Sequence, residues 1–121
     1  QRRDNFYYYR EALDDIPGVS FLKEQDGSQS NRWLTIIILN TQEILGVNRE
    51  DVRLALEANN IESRPLWKPM HMQPLFEKVP YFGKGIAMRL FKNGLCLPSG
   101  SNLEKHDLDR VISVIRKTLK H

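Results

Sequence analysis

Only one cysteine, Cys96, occurs in the 121 residues, so no internal disulfide can staple the fold. That usage suits a reducing cytoplasm. No apolar run is long enough to cross a bilayer: the longest, Leu34 to Leu39, is broken by Thr35 and falls far short of roughly 20 residues. No stretch reads as a signal peptide. The three histidines, His71, His106 and His121, are scattered, and none stands at metal-ligand spacing from another or from Cys96, so no metal is expected. A Gly-x-Ser-x-Gly nucleophile elbow is missing. The run Gly83-Lys84-Gly85 is too short for a phosphate-binding loop. Nor is there a basic stripe: 18 Lys and Arg stand against 15 acids, a net +3, and they are interspersed, so no nucleic-acid surface is expected.

What is present has the size and composition of one domain, with 40% hydrophobic and 27% charged residues. The chain starts at Gln1 rather than methionine, at the edge of a predicted helix, and is therefore expected to be a piece of something longer. Residues 2 to 14 predict a helix, because Phe6, Tyr9, Leu13 and Ile16 recur at helical spacing. Tyr7 and Tyr8 fall off that stripe, which leaves two readings: contact with a neighbouring domain or subunit, or tolerated exposure. Pro17-Gly18 stops the helix, and Val19 to Leu22 is a short strand candidate. After a polar loop over Gln25 to Asn31, Arg32 to Asn40 is the strongest strand, and its near-continuous apolar run predicts burial on both faces or a central position.

Asn48 with Asp51 predicts a capped helix over 49 to 59, with Val52, Ala55 and Leu56 facing the core and Asn59-Asn60 ending it. A further helix is expected from Gly85 to about Phe91, with an apolar face of Ile86 or Ala87, Leu90 and Phe91. Asn93-Gly94 then turns the chain into a short strand over Leu95 to Pro98. The last helix, about 104 to 119, carries a stripe of Leu108, Val111, Ile112, Ile115 and Leu119. Together these elements predict an α/β (α+β) fold, a small sheet packed with helices.

Between the second and third helices lies the segment that does not fit a regular element, IESRPLWKPMHMQPLF over residues 61 to 76. Pro65, Pro69 and Pro74 forbid a regular helix or a central strand there. Yet Trp67, Met70, Met72, Leu75 and Phe76 give it too much apolar surface for a free linker. A backbone stiffened by prolines and loaded with aromatic and polar groups suits a binding site. Arg64 offers a planar donor fork, Lys68 a point charge, and Trp67 a flat face with an indole donor. With His71 they suit an anionic ligand that contains a ring, such as a nucleotide or sugar nucleotide. The competing reading is a crossover that packs Trp67 into its own core. Cys96, in an apolar strand, reads as a small hydrophobe rather than as a nucleophile paired with His71.

The run from Asn60 to Phe76, and Leu95-Cys96-Leu97-Pro98-Ser99-Gly100-Ser101-Asn102-Leu103 followed by a terminal helix, resemble the C-terminal domain of nucleotide-sugar aminotransferases of the DegT/DnrJ/StrS family. Arg32-Trp33-Leu34-Thr35 is similar to the start of that domain's central strand. Met72 stands where the family commonly has leucine, and Glu104 where it commonly has a threonine or serine cap. The resemblance implies the small domain of a fold-type I aminotransferase that depends on pyridoxal 5'-phosphate. The implied large domain, with the lysine that carries the cofactor, its acid partner and the phosphate cup, is not in this sequence. No catalytic residue and no bound cofactor are therefore expected in the chain itself. In the implied parent, an amino donor, often glutamate in the family, and a nucleotide-linked keto sugar would react in the cleft of a cytoplasmic homodimer. Trp67 and His71 would line the sugar-nucleotide pocket, with Arg64 and Lys68 as cationic contacts. Two other readings remain open: a freestanding module that binds nucleotides or single-stranded nucleic acid, and a dimerisation domain.

Overall fold

The computed structural model describes residues 1–120; His121 lies outside the described residues. Four antiparallel strands form one sheet: β1 (Val19–Phe21), β2 (Thr35–Leu39), β4 (Gly94–Leu97) and β3 (Arg64–Pro65), in that order across the sheet. Residues paired across an antiparallel ladder point to the same face. The register Thr35↔Leu97, Ile37↔Leu95 and Val19↔Leu39 therefore gathers one apolar side. Ile36↔Cys96 and Ile38↔Gly94 define the other.

Three helices cover the first side: α1 (Arg2–Leu13), α2 (Arg49–Ala58) and α4 (Lys105–Leu119). The predicted stripes are the ones buried, except that Ala55 of α2 is only half-buried. Phe6, Tyr9 and Leu13 of α1, Val52 and Leu56 of α2, and all five stripe residues of α4 enter the core with Ile37, Leu39, Leu95 and Leu97. Their burial is the main stabilising term, about 2 kcal/mol for each fully enclosed aliphatic side chain. Asn48 starts α2 as expected: its side chain accepts from Glu50 N (2.7 Å) and Asp51 N (3.2 Å), and Asp51 accepts from Asn48 N (2.8 Å). Asn60, at φ 55°, ends it in the left-handed region. At α4 the Asp107 carboxylate accepts the Glu104 N–H at 3.0 Å, so the helix start is held despite the absence of a hydroxyl cap.

Several boundaries differ from expectation for identifiable reasons. The strand expected over Arg32 to Asn40 begins only at Thr35. Before it, Ser30 Oγ accepts from Arg32 N (3.0 Å), Asn31 Oδ1 accepts from Trp33 N (3.0 Å), and Arg32 adopts φ 49°. These local bonds take backbone groups that a ladder would need. Strand β2 is central, as predicted, but it is not buried on both faces. Thr35, Ile37 and Leu39 are buried while Ile36 and Ile38 are half-buried, because the three helices share one side. The turn expected at Asn93-Gly94 is not formed. Helix α3 (Ile86–Asn93) runs directly into β4, since Gly94 N–H closes the helix on Leu90 O while its own backbone is already extended. The proposed apolar face of α3 is covered only in part: Leu90 and Phe91 are half-buried, Ile86 and Ala87 are exposed, and no α3 residue is fully buried. Strand β3 was not anticipated in the proline segment. Pro65 is tolerated there because β3 is an edge strand.

Tyr7 and Tyr8 find partners within the chain. Tyr8 OH donates to Asp109 (2.5 Å) on α4, and Tyr7 OH accepts from Arg3 (2.9 Å). No described helix is long and apolar enough to cross a membrane.

Candidate functional site

The proline segment leaves the buried Ile61, pairs briefly with β4, and then runs as an arm of short turns. Met70–Met72 and Pro74–Phe76 each form one 3-10 turn. Each proline fixes φ, and the chain between them closes three-residue hydrogen bonds: Gln73 N to Met70 O at 3.0 Å, and Phe76 N to Gln73 O at 2.9 Å. The arm is attached to the sheet where Leu66 N–H reaches Gly94 O (3.3 Å) and the Leu66 side chain lies over the Gly94 α-carbon.

Beside this attachment opens a cleft of about 780 Å³, walled by Ser63, Arg64, Trp67 and Cys96 on one side and Asp107 and Arg110 of α4 on the other. Its floor is the loop after β4, which is firmly held. Ser99 Oγ accepts from Thr35 N and donates to Leu97 O, both at 2.8 Å. Tyr9 OH donates to Pro98 O at 3.1 Å, and Asn5 donates to Gly100 O at 2.9 Å. Burial pushes the Tyr9 hydroxyl pKa well up, so it stays a neutral donor. Such side-chain bonds to a loop backbone make one wall of the cleft rigid.

The opposite wall is aromatic and cationic. Trp67 is 64% exposed and stands 6.1 Å from Trp33, itself 58% exposed, with the two ring planes tilted by 34°. Trp67 is thus not packed into its own core. Arg64 is exposed and forks onto Glu62 at 2.8 and 2.5 Å. Ser63 Oγ is buried without a hydrogen-bond partner. Cys96 is buried and desolvation raises its thiol pKa, consistent with a packing role.

Of the four residues singled out in the sequence, the cleft brings together two, Arg64 and Trp67. His71 lies farther along the arm, stacked on Tyr81 with ring centroids 3.8 Å apart, and its Nε2 is buried without a partner. Lys68 is exposed, and its backbone carbonyl accepts from Gln73 at 3.4 Å. His71 and Cys96 form no pair. Sequence reasoning missed Trp33 and Tyr81 as neighbours of the arm. Trp33 was expected inside the strand over Arg32 to Asn40, and Tyr81 offered only an aromatic residue outside a periodic stripe.

Among the described residues no group of three or more His, Cys, Asp or Glu could hold a metal. Pyridoxal phosphate requires a lysine at the ring aldehyde and a polar cradle for its phosphate. No lysine lines this cleft, and Lys68 on the arm is exposed. The residues that line this cleft therefore do not fit the cofactor, while its arrangement can bind and orient a ligand.

A model of the DegT/DnrJ/EryC1/StrS aminotransferase family matches residues 1–116. EpsN of Bacillus subtilis (strain 168), whose name describes a pyridoxal phosphate-dependent aminotransferase, is 41% identical over 119 residues. That match covers 95% of this chain and 30% of EpsN. GDP-perosamine synthase of Vibrio cholerae is 38% identical over 76 residues, 63% of this chain and 20% of that protein. Among solved structures, DesI in the presence of its TDP-sugar product superposes with a TM-score of 0.88 at 26% identity, covering 99% of this chain and 31% of DesI. The chain spans less than a third of the length of each of these relatives.

Proposed function

The chain belongs to the DegT/DnrJ/EryC1/StrS aminotransferase family, and from that premise we propose that it is the C-terminal small domain of a cytoplasmic nucleotide-sugar aminotransferase. In this reading the parent moves an amino group from a donor, glutamate, to a nucleotide-linked keto sugar. Pyridoxal phosphate supplies the electron sink and is held by residues outside this chain. The small domain closes one side of the substrate cleft in a homodimer, and alone it is inactive.

The observation that carries this reading is the arm. Family membership gives the class of chemistry, and the arm gives this domain a part in it: its aromatic and cationic groups are turned out of the domain's own core. Trp67 presents an open face on which a ring can stack. Arg64 is held only by an exposed pair with Glu62, the kind worth little in water, so an incoming anion can exchange for that carboxylate. His71 has a buried ring nitrogen short of a partner, and Tyr81 fixes the plane of its ring. Lys68 adds charge beside Trp67. The relatives named for sugar chemistry, GDP-perosamine synthase and the TDP-sugar complex of DesI, support a sugar nucleotide as the ligand.

The test uses the protein in which this domain is joined to its cofactor-bearing part. Trp67→Ala and His71→Ala are expected to slow the half-reaction with the keto sugar at least about ten-fold more than the half-reaction with the amino donor, because only the former needs the sugar-nucleotide contacts. Stopped-flow absorbance of the cofactor separates the two. Equal losses in both half-reactions would mean that these side chains only support the fold.

A further inference from the structure

A second cleft, of about 680 Å³, lies between α3, the segment that follows β2, the first turn of α2 and Met72 of the arm. Its charged lining consists of three cations and no carboxylate: Arg49, Arg89 and Lys92. None of the three makes an ion pair among the described residues. Arg49 is half-buried, and its guanidinium lies 5.4 Å from the Phe91 ring centroid. Its Nε and Nη1 are removed from water with no acceptor. Two of the three guanidinium nitrogens are thus desolvated without an acceptor, and two exposed cations nearby add to the same field.

The carboxylates nearest in sequence are committed elsewhere. Glu50 is bound by Arg53 at 2.7 Å, and its lowered pKa comes first from that hydrogen bond, with Arg49 a lesser coulombic cause. Glu43 is bound by the Asn40 side-chain amide. The uncharged polar groups around the cleft, Thr41, Gln42 and Asn93, can all donate, while Met72, Met88 and Phe91 supply an apolar wall.

We propose that this cleft is an oxyanion site that takes a phosphate or diphosphate group, with Arg49 inside it and Arg89 and Lys92 at its mouth. Three cations without an internal carboxylate match a group that carries two or more negative charges better than a single carboxylate. The proposal does not depend on the aminotransferase reading, because its cations, Arg49, Arg89 and Lys92, are not among the residues which that reading uses. It requires only the described surface.

The experiment titrates the ¹⁵N-labelled chain with inorganic pyrophosphate at fixed ionic strength, with inorganic phosphate and glutamate as parallel arms. Saturable shifts are expected at Arg49, Arg89, Lys92 and Asn93, strongest in affinity for pyrophosphate and weaker for phosphate. Arg49→Gln is expected to weaken pyrophosphate binding about ten-fold or more, as the loss of a charge-assisted contact implies. Lys92→Ala, an exposed change that leaves the amide spectrum intact, is expected to weaken it about three-fold. No saturable binding, unchanged affinity in both variants, or tighter binding of glutamate than of pyrophosphate would each overturn the proposal. If pyrophosphate binds here while Trp67→Ala slows both half-reactions of the parent equally, the aminotransferase role of the arm fails and this site stands.

Discussion

The two faces of the sheet are built from similar residues and end in different states. On the inner face Ile37, Leu39, Leu95 and Leu97 are closed over by three helices and are 0 to 2% exposed. On the outer side the chain from Trp67 to Met88 spends as much apolar material, yet Trp67, Met70, Leu75, Val79, Phe82 and Ile86 remain open, Phe82 at 93%. Six large apolar side chains left open along one segment are more than the inner face leaves anywhere. The inner face holds the domain together. The outer side leaves its large apolar residues open.

The sharpest way to break that comparison is to delete the same side chain on both sides. Leu95→Ala should cost about 3 kcal/mol, because it opens a cavity against Ile37 and the helices. Leu75→Ala, at an exposed position, should stay within about 0.5 kcal/mol. Denaturant unfolding measures both. The two tryptophans, Trp33 and Trp67, both sit on the outer side, so fluorescence reports on the arm while far-UV ellipticity reports mainly on the helices. The fluorescence change should come at lower denaturant than the loss of ellipticity. Coincident transitions together with equal costs for the two alanines would mean that the faces form one cooperative unit.

Gly94 joins the two regions. A Cβ there would lie 2.1 Å from Leu66 Cδ1 and 2.6 Å from Leu90 O, one a side chain of the arm and the other a helix carbonyl that cannot swing away. Gly94→Ala should therefore cost about 2 kcal/mol by overpacking. It should also displace Leu66, so the Trp67 emission should shift even where the helices remain folded. A loss of stability without that shift would place the strain in α3 alone.

The same division explains what could be read in the sequence. Helices α1, α2 and α4 and the central place of β2 were legible, because a stripe such as Leu108, Val111, Ile112, Ile115 and Leu119 has only one way to be buried in a helix. The open side was not. Ile36 and Ile38, or Ile86, Leu90 and Phe91, look alike in sequence whether they are covered or waiting to be covered. Strand β3 escaped notice because two residues, one of them proline, carry no period. Within the site the types of residue were legible but not their grouping. Trp67 and His71 are four apart, a spacing that brings side chains together on an α-helix. Here Pro69 and a 3-10 turn send them to different neighbours, Trp33 and Tyr81.

A smaller effect tests the inner side alone. Asn48→Ala removes the acceptor for the N–H groups of Glu50 and Asp51 and should cost about 1 kcal/mol of global stability. It should leave the arm's fluorescence unchanged below the unfolding transition, since α2 reaches the core through Val52 and Leu56. A change in Trp67 emission in the folded variant would show that α2 also governs the arm.

The smallest effect lies where the faces meet at the sequence leading to Trp33. Glu24 binds Arg3 at 2.6 Å, Ser30 N at 2.6 Å and Arg32 at 3.4 Å. The Arg3 hydrogen bond first, then the Ser30 N–H, hold its carboxyl at about 2, below the ordinary carboxylate value of about 4.3. A depressed folded pKa contributes stability that is present above the unfolded value and is lost as pH falls toward 2. Acid should therefore loosen the segment from Leu22 to Trp33 before it unfolds the helices. Glu24→Gln should flatten that part of the stability–pH curve while leaving the slope above pH 5 unchanged. Because Arg32 also lies over the Phe6 ring at 3.7 Å, part of the loop's attachment survives protonation. The Trp33 emission should therefore shift gradually rather than in a single step; a single cooperative step shared with the ellipticity would tie this loop to the core instead.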